Sequence, residues 1–147
     1  MNVTRWTPRT TVRALAMAGV LAALAACTSM PSTNTKAVAL VGASEVPAVV
    51  TAATGSGSVT INPDMTVSAK ISLRGMEATA AHIHIGAAGT NGPVIVPFTK
   101  TADNTFEAPP GAKLNEAQYA AFKGGNLYVN VHSAKHPGGE VRAQIIP

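Results

Sequence analysis

The residues of this 147-residue chain whose types and spacing can do chemistry are its four histidines, His82, His84, His132 and His136. Two of them sit in AAHIHIGAAGTNGPV (Ala80–Val94). Side chains alternate along a strand, so His82 and His84 share one face while Ile83 and Ile85 share the other. Same-face residues lie about 6.5–7 Å apart at a rise of about 3.3 Å per residue, close enough for two imidazoles to converge on one ion. The isoleucines mark the core face, so the histidines face solvent, a cleft or a neighbouring element. The other two histidines sit in LYVNVHSAKHPGGEVRAQI (Leu127–Ile145). Leu127, Val129 and Val131 face the core there, and Tyr128, Asn130 and His132 face the other way. His136 follows in the turn before Pro137.

Two ligands do not make a metal site. If the strands ending at His84 and His132 are neighbours, His82, His84 and His132 form a three-imidazole site, with donor nitrogens roughly 3–3.5 Å apart in the closed form. Asn130 or Tyr128 would orient the rings from behind. Bound metal needs neutral imidazole, so affinity is expected to fall as pH drops through the free-histidine pKa of about 6.5. The alternative is plain surface histidines beside a structural Tyr/Asn face, with His82 and Asn130 hydrogen-bonding to hold the glycine loop.

Other chemistries find less support. Gly86, Gly89 and Gly92 suggest a phosphate cradle, but a cradle feeds a helix N-terminus and carries a Lys-Ser/Thr pair. Here Pro93 and the β-rich VIVPF follow, and the loop has no lysine. TNGP is read instead as a turn whose glycines supply positive φ. There is no G-x-S-x-G elbow. The acidic residues are scattered, so a glycosidase-like carboxylate pair is not supported. No catalytic residue is assigned, and a binding role is expected rather than an enzymatic one.

The elements that must position the histidines are mostly strands. In TVSAKISL, Val67, Ala69, Ile71 and Leu73 alternate with Thr66, Ser68, Lys70 and Ser72. Ser58–Ile61 has the same pattern, and NPDM (Asn62–Met65) turns the chain between the two, predicting a hairpin. Further strands are expected at Ala37–Val41, Ala80–Ile85, Pro93–Phe98, Leu127–His132 and Val141–Ile146. Short strands between Gly/Pro-rich turns imply an all-β sandwich or barrel. One helix is expected over Asn115–Lys123, covering an open end. Asn115 and Gln118 form a capping box, Leu114 and Tyr119 a hydrophobic staple, and Gly124–Gly125 a stop, with Tyr119 and Phe122 packing inward.

The N-terminus reads as a processing signal. Arg5, Arg9 and Arg13 precede the uncharged Ala14–Ala26, which is shorter than the roughly 20 apolar residues that span a bilayer. The alternative is a helix of the domain. The run ends in LAAC, which resembles the bacterial lipobox, with cleavage before Cys27 and lipid on its thiol. That accounts for a single cysteine, which can form no internal disulfide. The expected organisation is a lipoprotein signal peptide at 1–26, lipidated Cys27 and a flexible tether to residue 36, and one domain at 37–147. The full chain carries a net charge of +4, but the mature form keeps eight basic residues against seven acidic ones, a net +1. No nucleic-acid footprint remains. The expected partner is a membrane, reached through the lipid.

Three blocks carry a resemblance: LVGASEVPAVVTAATGSGSV (Leu40–Val59), AAHIHIGAAGTNGPVIV (Ala80–Val96) and LYVNVHSAKHPGGEVRAQI. Together they resemble the CHRD domain, found in chordin and in many bacterial secreted proteins. The resemblance implies an immunoglobulin-like, antiparallel Greek-key β-sandwich that has been compared with copper/zinc superoxide dismutase. It implies no settled activity. HIH (His82, His84) and YVNVH (His132) are similar to copper-binding elements of that dismutase. No counterpart of its bridging histidine, zinc loop, zinc-binding aspartate or disulfide cysteines is present. A single-metal site is therefore expected, its fourth position vacant, weak, or filled by His136 or Met76. Imidazoles suit copper or zinc, and the affinity order favours copper.

Three functions follow as expectations. The first is a monomeric, lipid-anchored cell-envelope protein that binds one copper or zinc ion, placed on the outer membrane or periplasmic face in a host with two membranes. The second is a metal-free module that binds an envelope protein or the cell wall. The third is a minimal dismutase-like redox enzyme.

Overall fold

The computed structural model of the protein describes Met1 and residues 34–147. Arg5, Arg9, Arg13, the apolar run at 14–26 and Cys27 lie outside the described residues. Nine strands follow one another: β1 (Thr35–Val41), β2 (Thr54–Ile61), β3 (Val67–Arg74), β4 (Ala78–Ile85), β5 (Val94–Pro97), β6 (Thr99–Ala102), β7 (Thr105–Glu107), β8 (Leu127–Ser133) and β9 (Val141–Ile145). A short helix, α1 (Glu116–Lys123), precedes β8. Thr35 and Lys36, expected in the tether, already belong to β1, where they pair with Thr60 and Val59.

The expected all-β, antiparallel fold is present, and its strands form one continuous sheet ordered β5-β4-β8-β9-β1-β2-β3-β7-β6. The connections show how that sheet is folded. β3 and β4 stand five places apart in the order, yet only residues 75–77 join them. The sheet must therefore double back so that two of its halves face each other. Gly75 turns that corner at φ +72°. β5 and β6 occupy opposite ends of the order but are separated by Phe98 alone. One extended stretch thus leaves β4 as a partner and takes up β7, bringing the two ends together. The Phe98 N–H donates to the Ala81 carbonyl at 2.9 Å, and Asn104 Oδ1 accepts from the Ala78 N–H at 3.1 Å across the same seam. The result is a nearly closed barrel-like sheet.

Period-two alternation fills the interior. β3 alternates buried and exposed residues along its whole length, and Val67, Ile71 and Leu73 are buried as expected. Leu40, Val59, Ile83, Leu127, Val129, Val131, Val141 and Ile145 are fully enclosed. Ile85 is half-buried and packs against them. The β2–β3 hairpin pairs Ile61 with Val67 across the Asn62–Met65 turn. In α1, Asn115 accepts from the Gln118 N–H and Gln118 Oε1 accepts from the Asn115 N–H, both at 2.9 Å. Gly125, at φ +71°, donates to the Phe122 carbonyl and Asn126 to the Ala121 carbonyl, closing the helix as a Schellman motif. Phe122 enters the core, and Tyr119 packs partly buried against it.

β6 and β7 were not expected. β6 is exposed at every position, and β7, with Phe106 buried between two half-buried residues, is only three residues long, too short for its alternation to be read. Asn104, at φ +53°, makes the tight turn between them.

Candidate metal centre

Two neighbouring strands carry the histidines. β4 pairs with β8 in a register that sets His82 opposite Asn130, His84 opposite Tyr128 and Ala80 opposite His132. Ile83 faces inward, so the imidazoles stand on the outer face, as the alternation requires. His82 and His132 are diagonal neighbours there, and His82 Nδ1 lies 3.0 Å from His132 Nε2. One ring nitrogen from each of His82, His84 and His132 lies within 4.8 Å of the others.

This outer face is not open to water. His84 is only 9% exposed. Tyr128 stacks on its ring, with centroids 4.9 Å apart and planes 10° from parallel, and the 86–92 loop closes over it. The loop departs from expectation in detail. The turn is Ala87–Thr90, closed by the Thr90 N–H on the Ala87 carbonyl, and Gly89 within it has φ +78°. TNGP supplies no positive φ, which corrects that expectation. Gly92 is needed for close approach instead, because a Cβ there would stand 1.7 Å from the Ile85 carbonyl oxygen.

Hydrogen bonding sets the proton positions. His84 Nδ1 is 2.9 Å from the Gly92 carbonyl oxygen, and His132 Nδ1 is 3.0 Å from that of Pro137. A carbonyl oxygen only accepts, so both Nδ1 atoms carry the proton and both Nε2 atoms carry lone pairs. The His132 Nε2 lone pair faces His82 Nδ1, which must therefore be the donor of that bond. His84 Nε2 is buried and has no hydrogen-bond partner. Burial, reinforced by the charges of His132 and His84, lowers the His82 pKa to about 4. Burial also lowers those of His84 and His132, against the pull of their carbonyl partners. His82 thus stays neutral well below pH 6.5, and burial favours the neutral form of His84 and His132 as well, the state in which imidazole ligates metal.

This moves the expected acid sensitivity. Unfolded histidines take up protons from about pH 6.5 downward, whereas folded His82 does so only near pH 4. The unfolded state therefore binds more protons in that window. Stability contributed by the neutral imidazoles is complete above pH 6.5 and is lost as pH falls toward 4. Denaturant midpoints measured in the absence of metal should fall across this window, and His82→Ala should show a shallower fall. Equal slopes in the two proteins would refute the assignment.

The remaining candidates are placed as follows. His136 is not part of the trio. Its carbonyl accepts from the Ser133 and Gly139 N–H groups, holding the turn that carries Pro137. Met76 packs against the hydrophobic core. Tyr128 backs His84, and its hydroxyl accepts from the Gly92 N–H at 3.1 Å. Asn130 lies opposite His82, but its Nδ2 donates to both carboxylate oxygens of Glu45, at 2.8 and 3.1 Å. Two residues escaped the sequence reading. Glu45 is buried, which raises its pKa against the opposing influence of Asn130 and Arg142. Arg142 is 2% exposed on β9, opposite Asn130. Its signal was its position: in VRAQI, Arg142 and Gln144 alternate with the core residues and so share the outer face with the histidines.

A family model described as the CHRD domain matches residues 37–145. No curated protein and no solved structure matches the chain.

Proposed function

Because the chain belongs to the CHRD domain family, and because its only cluster of three metal-ligating side chains among the described residues is the imidazole trio, we propose that it is a metal-binding domain that holds one copper ion. The observation that carries this reading is the convergence of His82, His84 and His132, with His84 Nε2 buried and unpartnered. A buried polar atom without a partner is costly, and a metal ion would relieve it. His84 and His132 would bind through Nε2, the nitrogens their carbonyl partners leave free. His82 would bind through Nδ1 once its proton has moved. Neutral imidazoles without thiolate or carboxylate suit Cu²⁺ or Zn²⁺, and copper binds the more tightly of the two. Titrating the metal-free protein with Cu²⁺ and with Zn²⁺ should reveal one saturable site per chain, tighter for copper. Absence of saturable binding of either ion ends this reading.

The domain would work at the cell envelope, tethered by lipid on Cys27, where it buffers or sequesters metal. The basic leader, the apolar run and LAAC support this placement. Wild-type protein should then partition with membranes, and Cys27→Ser should leave an unprocessed or unlipidated form. A wholly soluble wild type cut at another position would overturn the anchor while leaving the metal reading intact.

A second reading has an observation of its own. The His84–Gly92 and His132–Pro137 bonds hold two loops in place without any ion. A metal-free interaction module would use the histidines in that way. It predicts that the titration above shows nothing.

A further inference from the structure

Arg142 is the largest side chain among the fully buried residues, yet it carries a charge. Burying a guanidinium is expensive unless its donors are matched. The one ion pair recorded among the described residues is Lys70–Glu107, so no carboxylate neutralises Arg142 by direct contact. Its donors turn instead to the 87–92 loop. Nη1 donates to Asn91 Oδ1 at 3.1 Å, and Nη2 donates to the Thr90 carbonyl at 2.8 Å and to the Ala87 carbonyl at 3.3 Å. The guanidinium also lies 3.4 Å from the centroid of the Tyr128 ring, whose stacking partner is His84. Gly92 ends the same loop. Its N–H donates to the Tyr128 hydroxyl and its carbonyl receives His84 Nδ1.

We propose that Arg142 is a positioning residue for the metal centre: its guanidinium pins the 87–92 loop, keeps the Gly92 carbonyl on His84 Nδ1, and so makes Nε2 the nitrogen that His84 presents. The consequence for metal affinity rests on the metal-binding reading; the consequence for the His84 tautomer does not. Three ordered layers, Arg142, Tyr128 and His84, join a strand outside the histidine pair to one of its ligands. The bond between His132 and Pro137 runs through a different turn and serves as an internal control.

The test reads ring tautomers in the ¹⁵N-labelled, metal-free protein by long-range ¹H–¹⁵N correlation, beside copper affinity. In the wild type both His84 and His132 should be Nδ1–H. In Arg142→Met and Arg142→Lys, His84 should become a mixture of tautomers while His132 is unchanged, and copper affinity should fall about tenfold or more. If Arg142→Met fails to fold, Arg142→Lys and Asn91→Ala carry the test. Asn91 is exposed and supplies the guanidinium with its one side-chain acceptor, so its loss should shift His84 in the same direction by a smaller amount. Folded variants in which His84 stays Nδ1–H would overturn the proposal. If the wild type binds no copper but the variants still lose the His84 tautomer, the role of Arg142 stands and the metal centre does not.

Discussion

If the trio holds copper as proposed, replacing His82, His84 and His132 together by alanine should abolish tight copper binding, while His136→Ala should leave most of it. Each member of the trio supplies one nitrogen to a common point, and among the described residues no thiolate or carboxylate joins that group. Loss of an outer hydrogen-bond partner costs a metal site roughly 10–100-fold in affinity. Loss of all three ligands must cost more, because nothing remains to replace the ion's hydration. His136 stands apart from the trio and acts through the turn that presents Pro137 to His132, so its ring can be removed at smaller cost. Competition against a chelator of known affinity, with a copper EPR spectrum of each variant, decides the matter. A triple variant that binds copper as well as the parent would return the histidines to a purely structural role.

Ile83→Ala should cost about 2–5 kcal/mol of folding stability, the range for removing a large aliphatic group from a packed interior. The upper part of that range is expected here. Ile83 is fully buried and paired in register on both sides, with Val96 on β5 and Val129 on β8. Both partners are themselves buried, and a backbone held in a ladder on each side cannot move in to fill the cavity. Its sequence neighbour His82 points the other way and is half-buried, so His82→Ala should cost the metal-free fold far less. Urea denaturation of the two variants measures the contrast directly. If His82→Ala were the more destabilising change, the inward and outward faces of β4 would be reversed.

The inward faces were legible because a strand repeats every two residues. TVSAKISL and HIHI each declare a core side and an outer side without any knowledge of neighbours. The helix was legible because Asn115, Gln118 and Gly125 act within a few residues of one another. Strand order was not legible. His82 and His132 meet only because β4 pairs with β8 across fifty positions of chain, and no local pattern encodes that partnership. β6 was invisible because a strand exposed at every position has no alternation to read. Gly92 was noticed for the wrong reason: the sequence shows a glycine, but only the fold shows the Ile85 carbonyl that would strike a Cβ. Arg142 was passed over because a charged residue on a strand is ordinarily solvated. Its burial depends on a loop from a distant part of the chain arriving with three oxygen acceptors.

The single residue between β5 and β6 bears on self-association. Most sheets end in rows of unpaired N–H and C=O groups that can template another chain. In this protein the two terminal strands are the two halves of one stretch, hooked at Phe98, with each half already paired to a different neighbour. A second copy seeking an edge finds only short segments. Strand exchange at the hook would have to break the Phe98–Ala81 bond and expose a side chain that packs against the core.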